Sequence, residues 1–573
     1  MRKTTTSIHR AGLCIAALAT LTILPASFLH AQVVTVPSAP QIGSSNPVSA
    51  APLVSRPSTK PCVVQLFSNL AFENFTPATF SYTPPSNCPG PWAKVVFTAD
   101  FTVTAGVQYD RTAAFYLGHA SIYYGTTAEP GSTLSPSWHV ERDVTDLSAI
   151  FKSAQTGEAN IGNLVNSTYT GIIYSSATLE FYPASFRDPA PRVPDIVVPV
   201  NGTGGDAGTL NTTTDQITQT LDLPTNVENV YLDVIAQNQS NDEFYYFCVP
   251  NDQTTNLESC GNTPFRETEV TIDGQPAGVA PVYPWIFTGG IDPFLWQPVT
   301  GVQTLDFKPY RVDLTPFAGL LSDGSQHTVA VSVFNADSYF LATANLLVYT
   351  DHGSKRITGG ILTNTLAAAP TPTVDENISY NATTQAYTGT VAVGSKRNFT
   401  IRGYINTSHG RVETTVQQSL NFLNTQTFDV TPTIDEQNAV ETSTVDAQTT
   451  TQQGPFVTSK QQHFSYPLTI DYDYVVNSDG SAAQKVSVNQ QYLVNASDGL
   501  FGLPVYTSNL VNTVQAQDTL VFNTDGTYGP QGAKTTQTYT FNNNRGNCYN
   551  EALTAANNVL TNVSKGCQNG NGW

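Results

Sequence analysis

Residues 95–102 read Val-Val-Phe-Thr-Ala-Asp-Phe-Thr, and Val95, Phe97, Ala99 and Phe101 fall at every second position. The stretch 468–474 repeats this alternation of apolar and polar side chains, and a Ser-Asp-Gly sequence then separates it from the next such stretch. Period-two alternation is typical of β-strands with one buried face, and Ser-Asp-Gly is typical of a turn. The sequence therefore predicts an all-β protein whose many short strands form sandwiches or jelly rolls.

The N-terminal 31 residues have the features of an export signal. Arg2, Lys3 and Arg10 precede an apolar run, 11–24, that is too short to span a bilayer comfortably. We expect cleavage after Ala31 and a secreted or periplasmic location. No later stretch is apolar and long enough to cross a bilayer, so no membrane partner is expected.

Changes in composition divide the remaining chain. The expected segments are an extended leader (32–60), a first jelly-roll domain (61–190), a second jelly-roll domain (191–352), a linker (353–372) and a C-terminal β-rich accessory domain (373–573). The stretch 551–563 is rich in Ala, Leu and Asn and predicts the one convincing helix.

Charge and metal-ligand spacing exclude two classes of function. The net charge is −19, and Lys and Arg form no clusters that would match a phosphate backbone, so nucleic acid is not an expected partner. The eight histidines are scattered, and neither C-x-x-C nor H-E-x-x-H occurs. We therefore expect no metal or other cofactor.

Six cysteines follow the predicted signal: Cys62, Cys88, Cys248, Cys260, Cys548 and Cys567. Six cysteines allow 15 connectivities, but pairing 62–88, 248–260 and 548–567 closes three short loops. An exported protein can keep such disulfides, and buried free thiols are the alternative.

No nucleophile motif such as G-x-S-x-G is present, so acid–base chemistry would fall on carboxylates. Three settings stand out: 108–112 (QYDRT), 241–248 (NDEFYYFC) and 138–146 (WHVERDVTD). Burial beside the aromatic residues of the second would raise a carboxyl pKa. Each setting also has a purely structural interpretation. Residues 108–112 would form a surface ion pair, 241–248 an acidic turn before a strand, and 138–146 an edge strand.

A Gly/Pro-rich loop carries an unusual number of large rings: Tyr283, Trp285, Phe287, Phe294 and Trp296. Such a loop either fills a core or offers rings on which sugars stack. Asp292 and Arg311 nearby could hydrogen-bond sugar hydroxyls.

Taken together, these segments resemble the peptide:N-glycanases, in particular their acid-active amidase A type. The resemblance covers 61–352 and rests on the order of these motifs: Trp92-x-Lys94-Val95-Val96, QYDR (108–111), YLG (116–118), EP (129–130), W-x-V-x-x-DVT (138–145), YTG (169–171), NDEFYY (241–246), FRETEVTIDG (265–274), PWIFTGGIDPFLWQPVTG (284–301) and PYRVDLTPFAGLLSDGSQH (309–327).

A second branch, the flavobacterial glycanase F, is similar in fewer places. It implies two jelly-roll domains with the active site at their interface, and its W-D-R tripeptide resembles the segment of Asp110. Its other functional segments resemble Asp143–Asp146, Leu223–Asn226, Glu243, Trp296 and Arg311–Asp313. The region of a third glutamate of that branch resembles Tyr169–Gly171, where this chain has no acid.

The resemblance implies hydrolysis of the amide between an asparagine side chain and the first GlcNAc of an N-glycan, with N-glycosylated peptides as partners. Asp110 would activate water, and Glu243 would bind the amide or the first GlcNAc or donate a proton. The expected substrate-binding residues are Arg111, Asp242, Asp292, Trp296 and Arg311. The alternatives are a β-sandwich glycan-binding protein and a glycosidase that uses Asp110 and Glu243 as an acid/base pair. Truncation near Ala369 is expected to leave some activity if the C-terminal domain is only accessory.

Overall fold

The computed structural model describes Val36 and residues 39–569. The predicted signal peptide therefore lies outside the described residues. Within the described ranges the regular structure consists of β-strands and short 3₁₀ turns, which confirms the predicted all-β class. The 3₁₀ turns are Thr145–Leu147, Ile150–Lys152, Ser240–Asp242, Tyr245–Phe247, Pro293–Trp296 and Thr315–Phe317. No helix in these ranges is long and apolar enough to cross a membrane.

The first sandwich contains eight antiparallel strands in two four-stranded sheets, ordered β1-β8-β3-β6 and β2-β7-β4-β5. This is the strand order of a jelly roll. Its strands are β1 (Cys62–Phe72), β2 (Ala78–Tyr82), β3 (Trp92–Val103), β4 (Thr112–Leu117), β5 (Ala120–Thr126), β6 (Ser137–Asp143), β7 (Gln155–Ile161) and β8 (Ile173–Pro183). As the alternation predicts, Phe97 and Phe101 of β3 are fully buried between the two sheets.

The second sandwich repeats the arrangement, with orders β10-β17-β12-β15 and β11-β16-β13-β14 and with β9 added beside β17. Its strands are β9 (Ile196–Val200), β10 (Gly208–Thr212), β11 (Ile217–Leu221), β12 (Val227–Asn238), β13 (Glu267–Ile272), β14 (Gln275–Pro281), β15 (Tyr310–Asp313), β16 (His327–Phe334) and β17 (Asp337–Thr350). The two predicted jelly rolls are thus present.

The described residues from Thr358 onward form one 12-stranded antiparallel sheet, which we call the C-terminal sheet. Its strands are β18 (Thr358–Asn364), β19 (Thr373–Asn381), β20 (Ala386–Thr407), β21 (Gly410–Val430), β22 (Ile434–Gln453), β23 (Phe456–Val476), β24 (Ala482–Leu500), β25 (Leu503–Phe522), β26 (Tyr528–Pro530), β27 (Lys534–Asn543), β28 (Cys548–Ala556) and β29 (Val559–Gln568). Several strands have about 20 residues, so each spans roughly 65 Å.

The C-terminal sheet shares a hydrophobic core with the second sandwich. Leu420, Phe464 and Leu468 of the sheet lie in one buried cluster with Val230 and Phe317 of the sandwich. The chain from Val36 onward accordingly forms one compact unit. The domain boundaries near 61, 190 and 352 stay predictions.

Two expectations about the C-terminal region are wrong. Residues 551–563 are not a helix, because Leu553, Ala555 and Leu560 are buried at strand spacing in the hairpin of β28 and β29. Asn557 and Asn558 form its turn with φ of 50° and 64°, which asparagine tolerates well. Sheet pairing therefore overrides the helix propensity of Ala and Leu.

The stretch 353–372 is not simply a linker, because it includes strand β18. Gly359 of this strand approaches Gly319 of the second sandwich so closely that a methyl group at either position would collide with the backbone of the other. Two glycines thus allow the strand to lie directly against the sandwich.

The three predicted disulfides are confirmed. Cys62–Cys88, Cys248–Cys260 and Cys548–Cys567 join Cα atoms 6.2, 4.4 and 5.7 Å apart, within the usual range for disulfides.

Candidate active site

Asp110 lies between β3 and β4, in the loop that faces the second sandwich. Its Oδ2 atom accepts a hydrogen bond of 2.7 Å from the backbone N–H of Gly289, 179 positions further along the chain. The side chain remains partly exposed, and Tyr109 beside it is 43% exposed. Asp110 is therefore fixed by the second sandwich and still accessible to a substrate.

Glu129, which follows β5, is brought to the same place. Its Oε2 atom lies 3.4 Å from the backbone nitrogen of Asp110. A methyl group at position 289 would collide with this Oε2 atom and lie 3.1 Å from Oδ2 of Asp110. Two carboxylates thus converge on one backbone position, where a larger residue would displace the Glu129 carboxylate.

Glu129 was not among the predicted site residues. The only sequence signal for Glu129 is the Glu-Pro pair among the motifs that resemble the family. No local pattern in the sequence connects Glu129 with Asp110. The segment Tyr169–Gly171, which resembles the region of the third glutamate of glycanase F but has no acid, lies beside the Asp110 loop, since Thr170 and Gly171 donate backbone hydrogen bonds to Val107. Glu129, in the loop after β5, therefore supplies an acid in this neighbourhood.

The loop that contains Gly289 is held in position by the C-terminal sheet. Side-chain amides of Gln490 and Gln484 donate to the carbonyl groups of Pro284 and Ile291 at 2.7 and 3.0 Å. Thr535 donates to the carbonyl group of Leu295 at 2.5 Å. A buried loop must satisfy its backbone polar groups, and here a row of polar side chains on the sheet does so.

Four of the five large rings of this loop form a core and not a platform for sugars, and the fifth, Phe294, is half-buried. Tyr283, Trp285, Phe287 and Trp296 are all at most 6% exposed. Trp296 donates its indole N–H to the carbonyl group of Gly290 at 2.9 Å. The prediction that Trp296 binds substrate is therefore wrong, because its ring is enclosed and fixes the loop beside Gly289.

Asp292 is also structural. It is fully buried, and its Oδ1 atom accepts a 2.9 Å hydrogen bond from the backbone of Phe294, which caps the turn Pro293–Trp296. Burial raises the pKa of Asp518 in the C-terminal sheet, and the nearby Asp292 opposes this shift. The predicted substrate contact is not available at Asp292.

Glu243 lies just after the turn Ser240–Asp242 and is partly buried. Asn238 donates to the carbonyl groups of Glu243 and of Trp285, which connects this segment to the loop of Gly289. Gln239 donates to the hydroxyl group of Thr112, two residues after Asp110, at 3.4 Å. The structure therefore brings the segments of Asp110 and Glu243 to the same interface.

The carboxylate of Glu243 acts electrostatically on a buried ring. Burial raises the pKa of the Tyr246 hydroxyl group well above its usual range, and the charge of Glu243 adds to this effect. An acid placed between a partly open surface and an apolar interior is suited to bind a polar group of a substrate.

Asp242 has a different role from the one predicted. Its side chain is fully buried and forms an ion pair of 2.8 Å with Arg266, which is equally buried. Its Oδ2 atom accepts a 2.6 Å hydrogen bond from the backbone of Asp337. Burial raises the pKa of Asp242, and the charge of Arg266 opposes this shift. The residue stabilises the fold beside Glu243 and cannot touch a substrate.

The two predicted arginines differ. Arg111 stays next to Asp110, with its guanidinium carbon 5.8 Å from the centre of the Tyr109 ring. Arg311 instead binds Asp233 at 2.7 Å and Asp146 of the first sandwich at 2.8 Å. Arg311 thus forms a salt bridge between the sandwiches while its side chain stays 43% exposed, and its role in substrate binding stays a prediction.

The segment 138–146 is structural as well. Asp143 accepts a 3.0 Å hydrogen bond from the backbone of Thr145 and forms an ion pair with Lys94 at 3.1 Å. A groove of about 1090 Å³ crosses the C-terminal sheet and is lined mostly by Asn, Gln, Ser and Thr. None of the predicted site residues lines it, so its size does not mark the active site.

Comparison with known proteins identifies a family for this chain. The family model for peptide N-acetyl-β-D-glucosaminyl asparaginase amidase A matches residues 51–367, which is more than half of the chain. The chain is also 28% identical over 488 residues to the peptide-N4-(N-acetyl-β-glucosaminyl)asparagine amidase A of Prunus dulcis, a match that covers 81% of this chain and 83% of that protein.

Among solved structures, PNGF-II is similar with a TM-score of 0.36 at 15% identity, covering 51% of this chain and 66% of that one. PNGase F, a glycosylasparaginase from Flavobacterium meningosepticum, has a TM-score of 0.34 at 14% identity, covering 51% of this chain and 96% of that one. The family match confirms the resemblance seen in the sequence motifs. The chain belongs to the peptide N-acetyl-β-D-glucosaminyl asparaginase amidase A family.

Proposed function

We propose that Asp110, Glu129 and Glu243 form the active site at the interface of the two jelly rolls. The chain is an amidase of its family, which acts on the amide bond between an N-glycan and an asparagine side chain. The observation that supports this location is the convergence of Asp110 and Glu129 on the backbone of Gly289. The interface between two domains is also a common place for a substrate cleft.

In the proposed reaction, water attacks the amide carbonyl carbon and the C–N bond breaks. Asp110 takes a proton from this water, because its carboxylate is accessible and held in one orientation by Gly289. Glu129 positions the water or Asp110. Glu243 binds the amide or the first GlcNAc and can return a proton to the leaving nitrogen. The products are an aspartyl peptide and a 1-amino-glycan.

Product analysis tests this function. We expect a glycopeptide incubated with the protein to yield a peptide that carries aspartate in place of the glycosylated asparagine, measured by mass spectrometry. A peptide that retains one or more sugars would show a glycosidase. An unchanged glycopeptide that nevertheless binds would show a glycan-binding protein.

Glu129→Gln is expected to lower kcat by about 10²-fold, the lower end of the usual contribution of a group in acid–base catalysis. Glutamine keeps the length of the side chain and an oxygen that accepts from the backbone of Asp110, but it carries no charge. The measurement is kcat and KM on a glycopeptide across the pH range, together with thermal unfolding.

Glu73→Gln, at an exposed acid of the first sandwich, is the matched control and should leave kcat unchanged. A Glu129→Gln variant with kcat within a few-fold of the wild type, and an unchanged pH profile, would remove Glu129 from the site.

We further propose that the protein is secreted or periplasmic and works without a metal or cofactor. The three disulfides fit an oxidising compartment. The negative net charge argues against nucleic acid as a partner. The proposed partners are N-glycosylated peptides and proteins.

A further inference from the structure

Tyrosine rings outside the aromatic loop remain partly exposed near Asp110. Tyr109 is 43% exposed, and its ring centre lies 5.4 Å from that of the half-buried Tyr169. A third ring comes from the C-terminal sheet, where Tyr528 of β26 is 65% exposed. We call Tyr109, Tyr169 and Tyr528 the tyrosine platform.

Tyr528 is held in place by its strand and not by burial of its ring. Strand β26 pairs with the end of β25, with Tyr528 opposite Phe522. The two ring centres are 6.1 Å apart. Asn523 and Thr527 close the intervening turn with a backbone hydrogen bond of 2.8 Å. A ring fixed in this way loses little conformational entropy when a ligand stacks on it.

Strand β25 also connects Tyr528 to the proposed active site. Gln484 of β24 donates to the carbonyl group of Ile291, two residues after Gly289, and it lies opposite Leu520 of β25, which in turn pairs with Pro530 of β26. The backbone of Gln531, just after β26, donates to Asp518 at 3.1 Å. The hairpin that carries Tyr528 is thus anchored to the same loop that positions the catalytic aspartate.

The electrostatics of Tyr109 agree with the ring contact between Tyr109 and Tyr169 and with the position of β26. The pKa of the Tyr109 hydroxyl group is raised, first by burial and then by Tyr169, Glu129 and Tyr528, while Arg111 opposes the shift. This influence of Tyr528 agrees with the strand pairing, which places β26 two strands from Gln484 and so brings this part of the C-terminal sheet to the loop of Gly289 beside Asp110.

We propose that the tyrosine platform stacks on sugar rings of the N-glycan next to Asp110, so that the C-terminal sheet supplies part of the substrate site. This inference rests on the proposed function. Exposed rings that cluster beside a catalytic group are expected to bind a ligand. Phenol rings offer apolar faces to the C–H faces of a sugar and hydroxyl groups to its polar edge. The platform is uncharged, which suits a neutral oligosaccharide.

The test uses the full-length protein and a short peptide whose asparagine carries N,N′-diacetylchitobiose. We expect Tyr528→Ala to raise KM about tenfold, as the loss of one aromatic anchor commonly does, with kcat within about twofold of the wild type. Tyr528→Phe should keep most of the affinity because it keeps the ring. Tyr380→Ala is the matched control, since Tyr380 is a 54% exposed tyrosine of β19 in the same sheet.

Binding measured by calorimetry separates the possible failures. A Tyr528→Ala variant with unchanged KM and unchanged affinity would overturn the platform even if hydrolysis occurs as proposed. Weaker binding by Tyr528→Ala without any hydrolysis by the wild type would support the platform and overturn the proposed reaction. An equal loss of affinity for the same peptide without its glycan would assign the rings to the peptide and overturn sugar recognition.

Discussion

Asp110→Asn should lower kcat/KM by about 10²–10⁴-fold or more, the usual contribution of a group that transfers a proton in the transition state. Asparagine has nearly the same shape, and its amide oxygen can still accept the hydrogen bond that Gly289 donates to Asp110. The loop should therefore keep its position. The amide cannot take a proton from water, so the attack on the substrate carbonyl slows while glycopeptide binding survives. Steady-state kinetics and calorimetry with the same glycopeptide measure both effects.

The control for this variant must be an acid that the fold does not need. Asp242, adjacent to Glu243, is unsuitable because Asp242→Asn would remove the charge that balances the buried Arg266. Asp222→Asn is a better control, since Asp222 is exposed at the end of β11. If Asp110→Asn keeps activity within a few-fold of Asp222→Asn, then the base of the reaction lies elsewhere and Glu129 becomes the first acid to test.

Much of the fold could be predicted because its determinants are local. Alternation in 95–102 specifies a strand with one buried face, and β3 has this burial pattern. The three disulfides could be predicted because each pair closes a short loop. The helix at 551–563 could not be excluded, because Ala and Leu favour helices and only pairing with β27 selects the strand.

The site was only partly predictable because its members meet through tertiary contacts. The motif around Asp110 identified one acid, but Glu129 joins it only through the path of β4 and β5 and the loop of Gly289. Sequence also cannot show which rings are enclosed. Trp296 is 2% exposed and Tyr528 is 65% exposed. The sequence around Trp296 nevertheless resembles a sugar-binding loop more than the sequence around Tyr528 does.

Removal of residues 370–573 should abolish folding and activity, in contrast to the expectation that a truncated chain keeps some activity. The reason is the core shared between the C-terminal sheet and the second sandwich. Ile401, Leu420, Phe464, Leu468 and Val494 are all buried in it. Each such side chain contributes about 1.5–3 kcal/mol through burial, whereas a whole domain is stable by only about 5–15 kcal/mol. Soluble yield, circular dichroism and activity of the truncated chain measure the outcome.

The same truncation would remove the side chains that hydrogen-bond to the backbone carbonyl groups of the Gly289 loop. Gln490 and Gln484 donate to carbonyl groups of this loop, so without them its buried backbone would lose hydrogen-bond partners. Asp110 would then lose the fixed orientation that Gly289 gives it. The matched control keeps every strand but interrupts the chain. A protease site is inserted in the exposed turn 477–480, and the protein is cut there after it has folded. This nicked protein should remain folded and active. A truncated protein that is soluble, cooperatively folded and within a few-fold of full activity would show that the C-terminal sheet is an accessory after all, and that the two jelly rolls hold the Gly289 loop without it.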